Sequence, residues 1–419
     1  MTTVDTIMIA PLGPAAIGAI GVGNSAFYTL AIFGMGLLLG LDTLVAQSHG
    51  AGDKADTHHS LAQGVYSACF ITAPLMVIFQ YMPPVFALLG IHPEVSRPAG
   101  LFVRTLSLST LPLLLYGAFR RYLQAIGHVR PVMFVLISAN LINWWFNWLL
   151  IQGHWGFPAL GVVGSALSTC LARVYMAGLL LGFIWWFERG SEAGLRSLIR
   201  PPDAKRLLRL MGIGLPAAGQ ILLEIGAFGA AAMMAGRLEP VALAAHQIAL
   251  NCAALSFMVP LGISSAAAVA VGQAIGRGEP DVARSDGFIA IGLGCAFMSC
   301  AAVAFVTIPE RILQWYTRDA DVLRVGVSLL AIAAVFQLFD GIQAVATGTL
   351  RGVGNTRLPM LVNFAGYWIF GLPLGYVWCF HYGYGVRGLW WGLTVALIGI
   401  ALVLLNSWRV HSRELARYA

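Results

Sequence analysis

The sequence predicts an all-α integral membrane protein made of two six-helix bundles, with eleven full spans and a stub in place of the first helix. Three observations point there. The 419-residue chain is 58% hydrophobic and 10% charged, with mean hydropathy +0.79, too apolar for the surface of a soluble domain of this length. Apolar runs long enough to cross a bilayer recur from end to end. The second half of the chain also repeats the first.

Taken in order, the stub MTTVDTIMIAPLG has about ten residues before Pro11, which as a helix would reach about 15 Å, half a bilayer. Full-length runs follow at 16–47, 60–89, 95–123, 131–151, 159–187, 207–236, 241–275, 287–308, 322–350, 359–380 and 386–410. Between the fifth and sixth lies the longest polar connection, ERGSEAGLRSLIRPPDAKR at 188–206. It separates an N-terminal lobe, 1–187, from a C-terminal lobe, 207–419. No basic-then-apolar segment with a small-residue cleavage site precedes the first span, so the spans themselves are expected to direct insertion.

The repeat sets the register. A gapless shift of 226 lays Leu12, Pro14, Gly36, Gln47, Gly50 and Gly52 on Leu238, Pro240, Gly262, Gln273, Gly276 and Gly278. A shift of 227 lays Leu123, Gly127, Arg130 and Met133 on Leu350, Gly354, Arg357 and Met360. The counterpart of Leu207 would then fall some nineteen residues before Met1. The first helix is therefore expected to be truncated here, the native reading frame to continue upstream for about 20–30 residues, and this form to be poorly active. Six spans per lobe is an even number, so both lobes enter from one side, related by a pseudo-two-fold along the membrane normal.

Orientation follows from the basic residues. One set of alternate connections carries Lys54, Arg120, Arg121, Arg130, Arg189, Arg196, Arg200, Lys205, Arg206, Arg209, Arg277, Arg284, Arg351, Arg357, Arg409, Arg413 and Arg417. The other carries only Arg97, Arg104, Arg237, Arg311, Arg318, Arg324 and Arg387, with Arg173 inside a span. The positive-inside rule puts the richer side, with the 188–206 connection and the C-terminus, in the cytoplasm. The net charge of +7 is thus spread over short connections and reports topology, not a nucleic-acid partner.

Polar groups at membrane depth are the functional candidates. Glu224 sits near the middle of the 207–236 run, where a charge costs roughly 2.5–3.5 kcal/mol on insertion scales unless a polar cavity or partner receives it. The bland alternative is a hydrogen bond tying two helices. Asp340 in AAVFQLFDGIQAVATG is flanked by Gln337 and Gln343, at a spacing that shares one broad helix face. Such a face lines a water-accessible interior or a helix-pairing seam. Asn143 and Asn147, with Asn140 nearby, offer amide oxygens on one face, suited to Na⁺ or to interhelical hydrogen bonds. Gln247 and Asn251 are weaker polar spots, and Asp5 in the stub is ambiguous. His246 reads as a hydrogen-bonded packing residue, and Trp144, Trp145 and Trp148 as interfacial anchors.

Several chemistries find no support. RGVGNTR lacks the GxxxxGK[ST] of a nucleotide-binding loop, and no HExxH or GxSxG is present. The six cysteines fall in apolar segments without a CxxC pair, as small core residues do. No catalytic activity, cofactor, nucleic acid or ATPase subunit is expected, and the driving force should be an ion gradient.

The stretches VDTIMIAPLG, GMGLLLGLDTLVAQSHGAGD, LQAIGHVRP, LPAAGQILLEIGAF, FQLFDGIQAVATGTLRGVGNTR and GVRGLWWG together resemble the multidrug and toxic compound extrusion (MATE) transporters, NorM-like bacterial branch. The resemblance spans essentially the whole chain. It implies export of organic cations and drugs in exchange for Na⁺ or H⁺. It implies that Glu224 and Asp340 are the carboxylates of the C-terminal lobe and Asp5 the acid of the first helix. It further implies a cation site, with Na⁺ as a candidate ion, at Asp5, Asn143, Asn147 and Thr169. Asn147 departs from the aspartate of related members, which lowers the charge of that site.

The reading expected from sequence is a monomeric antiporter of a bacterial inner membrane, exporting amphipathic, mostly cationic drugs by alternating access. The coupling ion and substrate compete for Glu224 and Asp340. A flippase for lipid-linked sugars and a truncated inactive remnant are the alternatives; Arg173 is the residue that favours the flippase.

Overall fold

The computed structural model describes residues 1–189 and 200–417, so positions 190–199 of the expected 188–206 connection lie outside the described residues. Among the described residues every regular element is helical. The chain divides into two compact units, Met1–Val45 with Asp53–Ala218, and Ala46–Gly52 with Gly219–Ala419. Ten helices among the described residues are long and apolar enough to cross a membrane, or eleven if one bent pair counts as a single span, in line with the eleven runs read from the sequence.

The first unit begins with α1 (Thr2–Ile9), which passes through a 3₁₀ turn and Gly13 into α2 (Pro14–Leu37). Gly13 has φ +97, a conformation that a residue with a Cβ rarely takes, and Pro14 then starts the helix where no amide is missed. After α3 (Gly40–Gly50), Asp53 caps α4 (Lys54–Gln80), its carboxylate accepting from the Asp56 amide at 2.8 Å. The expected 60–89 run stops at Gln80, and α5 (Met82–Leu88) starts separately because Pro83 and Pro84 cannot continue the preceding helix.

The expected 95–123 run is also two helices, α6 (Pro93–Ser107) and α7 (Thr110–Ala125), bent by 49°. The sequence LSLSTLP supplies the cause. Ser107, Ser109 and Thr110 turn their hydroxyls back onto the carbonyls of Arg104, Leu106 and Ser107 at 2.6, 2.6 and 2.7 Å, and Pro112 withholds an amide. Next come α8 (Val129–Gln152) and α9 (Gly161–Glu188), then α10 (Ala204–Ala235), which carries Pro216 inside it and passes from the first unit to the second after Ala218.

The second unit contains α11 (Pro240–Gly276), α12 (Pro280–Thr307), α13 (Pro309–Gln314) and α14 (Ala320–Gly352). The next span runs from α15 (Arg357–Asn363) through a π-helical stretch at Phe364–Gly371, α16 (Leu372–Tyr376) and a second π-helical stretch at Val377–His381. Glycines set its packing on α17 (Val386–Arg417). A Cβ on Gly392 would strike the backbone of Gly375, and one on Gly388 would lie 2.7 Å from the Cys379 amide nitrogen. Gly371 and Gly375 thus face Gly392, while Gly388 meets the Trp378 and Cys379 backbone, so small residues bring the backbones together as they do in lipid, where apolar burial gives no net drive.

Within this unit, the segment Ala46–Gly52 meets α11 reciprocally. Gly50 abuts the Gln273 backbone while Gly276 abuts the Gln47 backbone. These are the residues that the 226-residue shift equates, so the repeat register read from the sequence has a physical counterpart in the packing. Gln47 also donates to the Gly352 carbonyl at 3.0 Å.

Candidate functional site

Each unit contains one cluster of acidic and amide side chains drawn from separate helices. In the first unit, α1 contributes Asp5, α8 contributes Asn143 and Asn147 one turn apart, and α9 contributes Thr169. All four are buried, Asp5 to 2% exposure and both asparagines to 0%. Asn147 donates from Nδ2 to Asp5 Oδ1 at 2.6 Å and to Asn143 Oδ1 at 3.4 Å. Thr169 donates its hydroxyl to Asp5 Oδ2 at 3.2 Å and accepts from Asn143 Nδ2 at 3.3 Å. The ring closes on itself.

The chemistry of this ring is that of oxygen. It presents a carboxylate, a hydroxyl and amide oxygens, and Asn147 Oδ1 is buried with no hydrogen-bond partner. Among the described residues no lysine, arginine or histidine donates to it, and the positive charge that reaches Asp5 is the N-terminal ammonium, which itself donates to Asn140. An all-oxygen set of low charge fits a hard monovalent cation or a proton better than a transition metal. In keeping with that, no group of three or more His, Cys, Asp or Glu residues among the described residues could hold a metal ion. Asn140, on the same helix, is exposed and donates to the Leu136 carbonyl at 2.8 Å, outside the ring.

In the second unit, Asp340 on α14 is buried to 5% exposure, and Glu224 on α10 is half-buried and close enough to act on it as a like charge. Gln343, one turn beyond Asp340, reaches toward the Glu224 carboxylate and donates at 3.1 Å to Asn363 Oδ1, which is itself wholly buried. Asn363 is anchored by its own amide to the Pro359 carbonyl at 2.8 Å. Tyr367, four residues on, is 0% exposed, has an unpartnered hydroxyl and lies in the electrostatic reach of both acids. Among the described residues neither carboxylate has a basic partner. Two like charges in such a place oppose one another, and a proton or a cation would relieve that cost.

Not every polar position joins this second cluster. Gln337 donates to Ser256 Oγ at 2.7 Å and to the Ala253 carbonyl at 3.3 Å, fastening α14 to α11. Gln247 and Asn251 are exposed, and Asn251 bonds only within its own helix, to the Gln247 carbonyl at 2.9 Å. His246 accepts from Trp390 Nε1 at 3.1 Å in the buried core. Asn363 and Tyr367, conversely, escaped the sequence reading. Their signal was a polar pair spaced i, i+4 inside LVNFAGYWIFG, and the 227-residue shift puts Tyr367 opposite Asn140. The π-helical stretch begins directly after Asn363 and contains Tyr367, the kind of local widening that recurs at functional positions.

The MatE family model matches residues 1–149 and 216–377, which hold every member of both clusters except Thr169. The Probable multidrug resistance protein NorM of Brucella suis biovar 1 (strain 1330) is 36% identical over 100% of this chain and 90% of its own length. The Multidrug resistance protein NorM of Burkholderia vietnamiensis is also 36% identical, over 98% of this chain and 89% of its own. Among solved structures, a MATE protein in the bent conformation aligns with TM-score 0.90 at 18% identity, covering 100% of this chain and 92% of that one. The eukaryotic MATE transporter AtDTX14 aligns with TM-score 0.84 at 20% identity, covering 100% and 94%.

Proposed function

This chain belongs to the MatE family of transport proteins, and from that premise we propose that it is a cation-coupled antiporter exporting amphipathic organic cations. The names of its relatives speak of multidrug resistance, and multidrug efflux is the function that those relatives support. The observation that carries the finer reading is the pair of acidic clusters in membrane-spanning units, neither of them met by a basic side chain among the described residues. Such sites attract cations of two kinds, a small coupling ion and a lipophilic cationic substrate. A coupling ion of Na⁺ or H⁺ and a substrate that need the same carboxylates exclude one another, so entry of one favours release of the other.

The roles divide by geometry. Glu224 and Asp340 lie within electrostatic reach of each other, Gln343 links the Glu224 carboxylate to Asn363, and Tyr367 lies in reach of both acids. Asp5, Asn143, Asn147 and Thr169 form the second cation site, with Na⁺ as the ion their oxygens suit. A sugar-lipid flippase would present cations to a pyrophosphate. Arg173 does not answer that need, since it is 1% exposed, donates to Ser109 Oγ at 2.7 Å and stacks 4.6 Å from the Phe27 ring centre.

The test is transport in reconstituted vesicles. An imposed Na⁺ or proton gradient should drive ethidium accumulation by the native protein. Glu224→Gln and Asp340→Asn should each reduce it to the protein-free background while leaving the unfolding midpoint unchanged. Undiminished ethidium transport by both variants would remove the carboxylates from the mechanism, and transport of a lipid-linked sugar alone would overturn efflux.

A further inference from the structure

Away from both clusters, the ends of α8 and α9 on the arginine-rich side enclose an open groove of about 740 Å³, within the range of roughly 300–1,000 Å³ usual for ligand sites. Its walls are aromatic. Phe134 and Trp186 are 57% and 53% exposed, and Phe183 and Phe187 stand beside them. The rings brace each other: Phe187 lies 5.3 Å from Trp186 and 6.3 Å from Phe183, and Phe134 meets Phe183 edge-on at 6.5 Å. His128 closes one end, its ring edge-on to Phe187 at 4.5 Å and fixed by a 3.3 Å contact of Nδ1 with the Ile126 carbonyl.

Charge at the rim is one-sided. Arg130 lines the groove, is exposed, and has no hydrogen-bond or ion-pair partner among the described residues. Among the described residues no carboxylate lines it. Glu188, which directly follows Phe187, is committed elsewhere, to His58 Nε2 at 3.0 Å and to the Tyr122 hydroxyl at 2.9 Å. An aromatic slot running down from an unpaired guanidinium, at the end of two membrane-spanning helices, matches a lipid in which an acyl chain continues below a phosphate. A zwitterionic headgroup would bring an ammonium against Arg130 with no acid to receive it.

We propose that this groove binds one anionic phospholipid, its phosphate at Arg130 and its acyl chain along Phe134, Phe183 and Trp186. The site is independent of the transport reading and needs only that α8 and α9 span the bilayer. The test is native mass spectrometry of the full chain in detergent, titrated with phosphatidylglycerol or phosphatidylcholine. The native protein should retain phosphatidylglycerol in preference. Arg130→Gln should weaken that lipid about fivefold, the share of one basic residue at a membrane surface, and leave phosphatidylcholine unchanged, while Arg130→Lys keeps most of the preference. Trp186→Ala should weaken both lipids. Equal retention of the two lipids by the native protein, or a preference untouched by Arg130→Gln, would overturn the proposal. So would glycerol phosphate competing as well as the whole lipid, because the aromatic wall would then contribute nothing.

Discussion

At the scale of single residues, the two clusters differ in how much charge they hold. The first unit's ring has one carboxylate, Asp5, because position 147 is an asparagine whose Oδ1 is left unpartnered. Asn147→Asp adds a second charge at nearly the same volume and should tighten Na⁺ binding roughly tenfold, as ligand charge count does in oxygen sites. Isothermal titration of the purified variant checks this, and unchanged or weaker Na⁺ binding would show that the ring does not hold the ion. Much of the site was legible in the sequence for one reason: a charged or amide side chain at bilayer depth is expensive, so Asp340, Glu224, Asn143 and Asn147 stand out against apolar neighbours. Tyr367 did not, because a tyrosine in a span reads equally as an apolar ring or an interfacial anchor until its burial within electrostatic reach of two acids is known. Gln247 and Gln337 show the converse limit, since spacing cannot tell a glutamine that fastens helices from one that lines a site.

At the scale of elements, the positions of the spans were readable and their interruptions were not. Hydrophobicity registers whether a segment can cross, whereas the 49° bend between α6 and α7 comes from three hydroxyls choosing local carbonyls and from Pro112. The glycine contacts are similarly invisible until partners are known. On α17, Gly392 lies against the Gly375 backbone while Gly399 meets nothing within 4 Å of where its Cβ would stand. Gly392→Ala should therefore destabilise the protein by about 1–3 kcal/mol through overpacking. Gly399→Ala should be neutral or stabilise by about 0.5–1 kcal/mol through its better helix propensity. Thermal unfolding in detergent separates the two, and equal midpoints would mean that α17 does not pack as described.

At the scale of the whole molecule, each unit carries one acidic cluster among the described residues, and the arginine bias is expected to set the direction of both in the membrane. Cysteines placed in two connections test that direction in a background stripped of the six native cysteines. Glu279→Cys, beside Arg277, should react with a membrane-impermeant maleimide only after permeabilisation, and Tyr384→Cys, at the opposite ends of the spans, should react in intact cells. The reverse pattern would invert the assigned export direction.

Exchange itself depends on one coupling, that the driving ion and the exported cation contend for the same carboxylates. The direct measurement is equilibrium binding of tetraphenylphosphonium to the purified protein across a titration of Na⁺ and, separately, of pH. Its apparent Kd should rise in proportion to the concentration of whichever ion couples, and that dependence should vanish in Glu224→Gln and Asp340→Asn. Binding of tetraphenylphosphonium that is indifferent to both Na⁺ and pH in the native protein would contradict exchange at these acids.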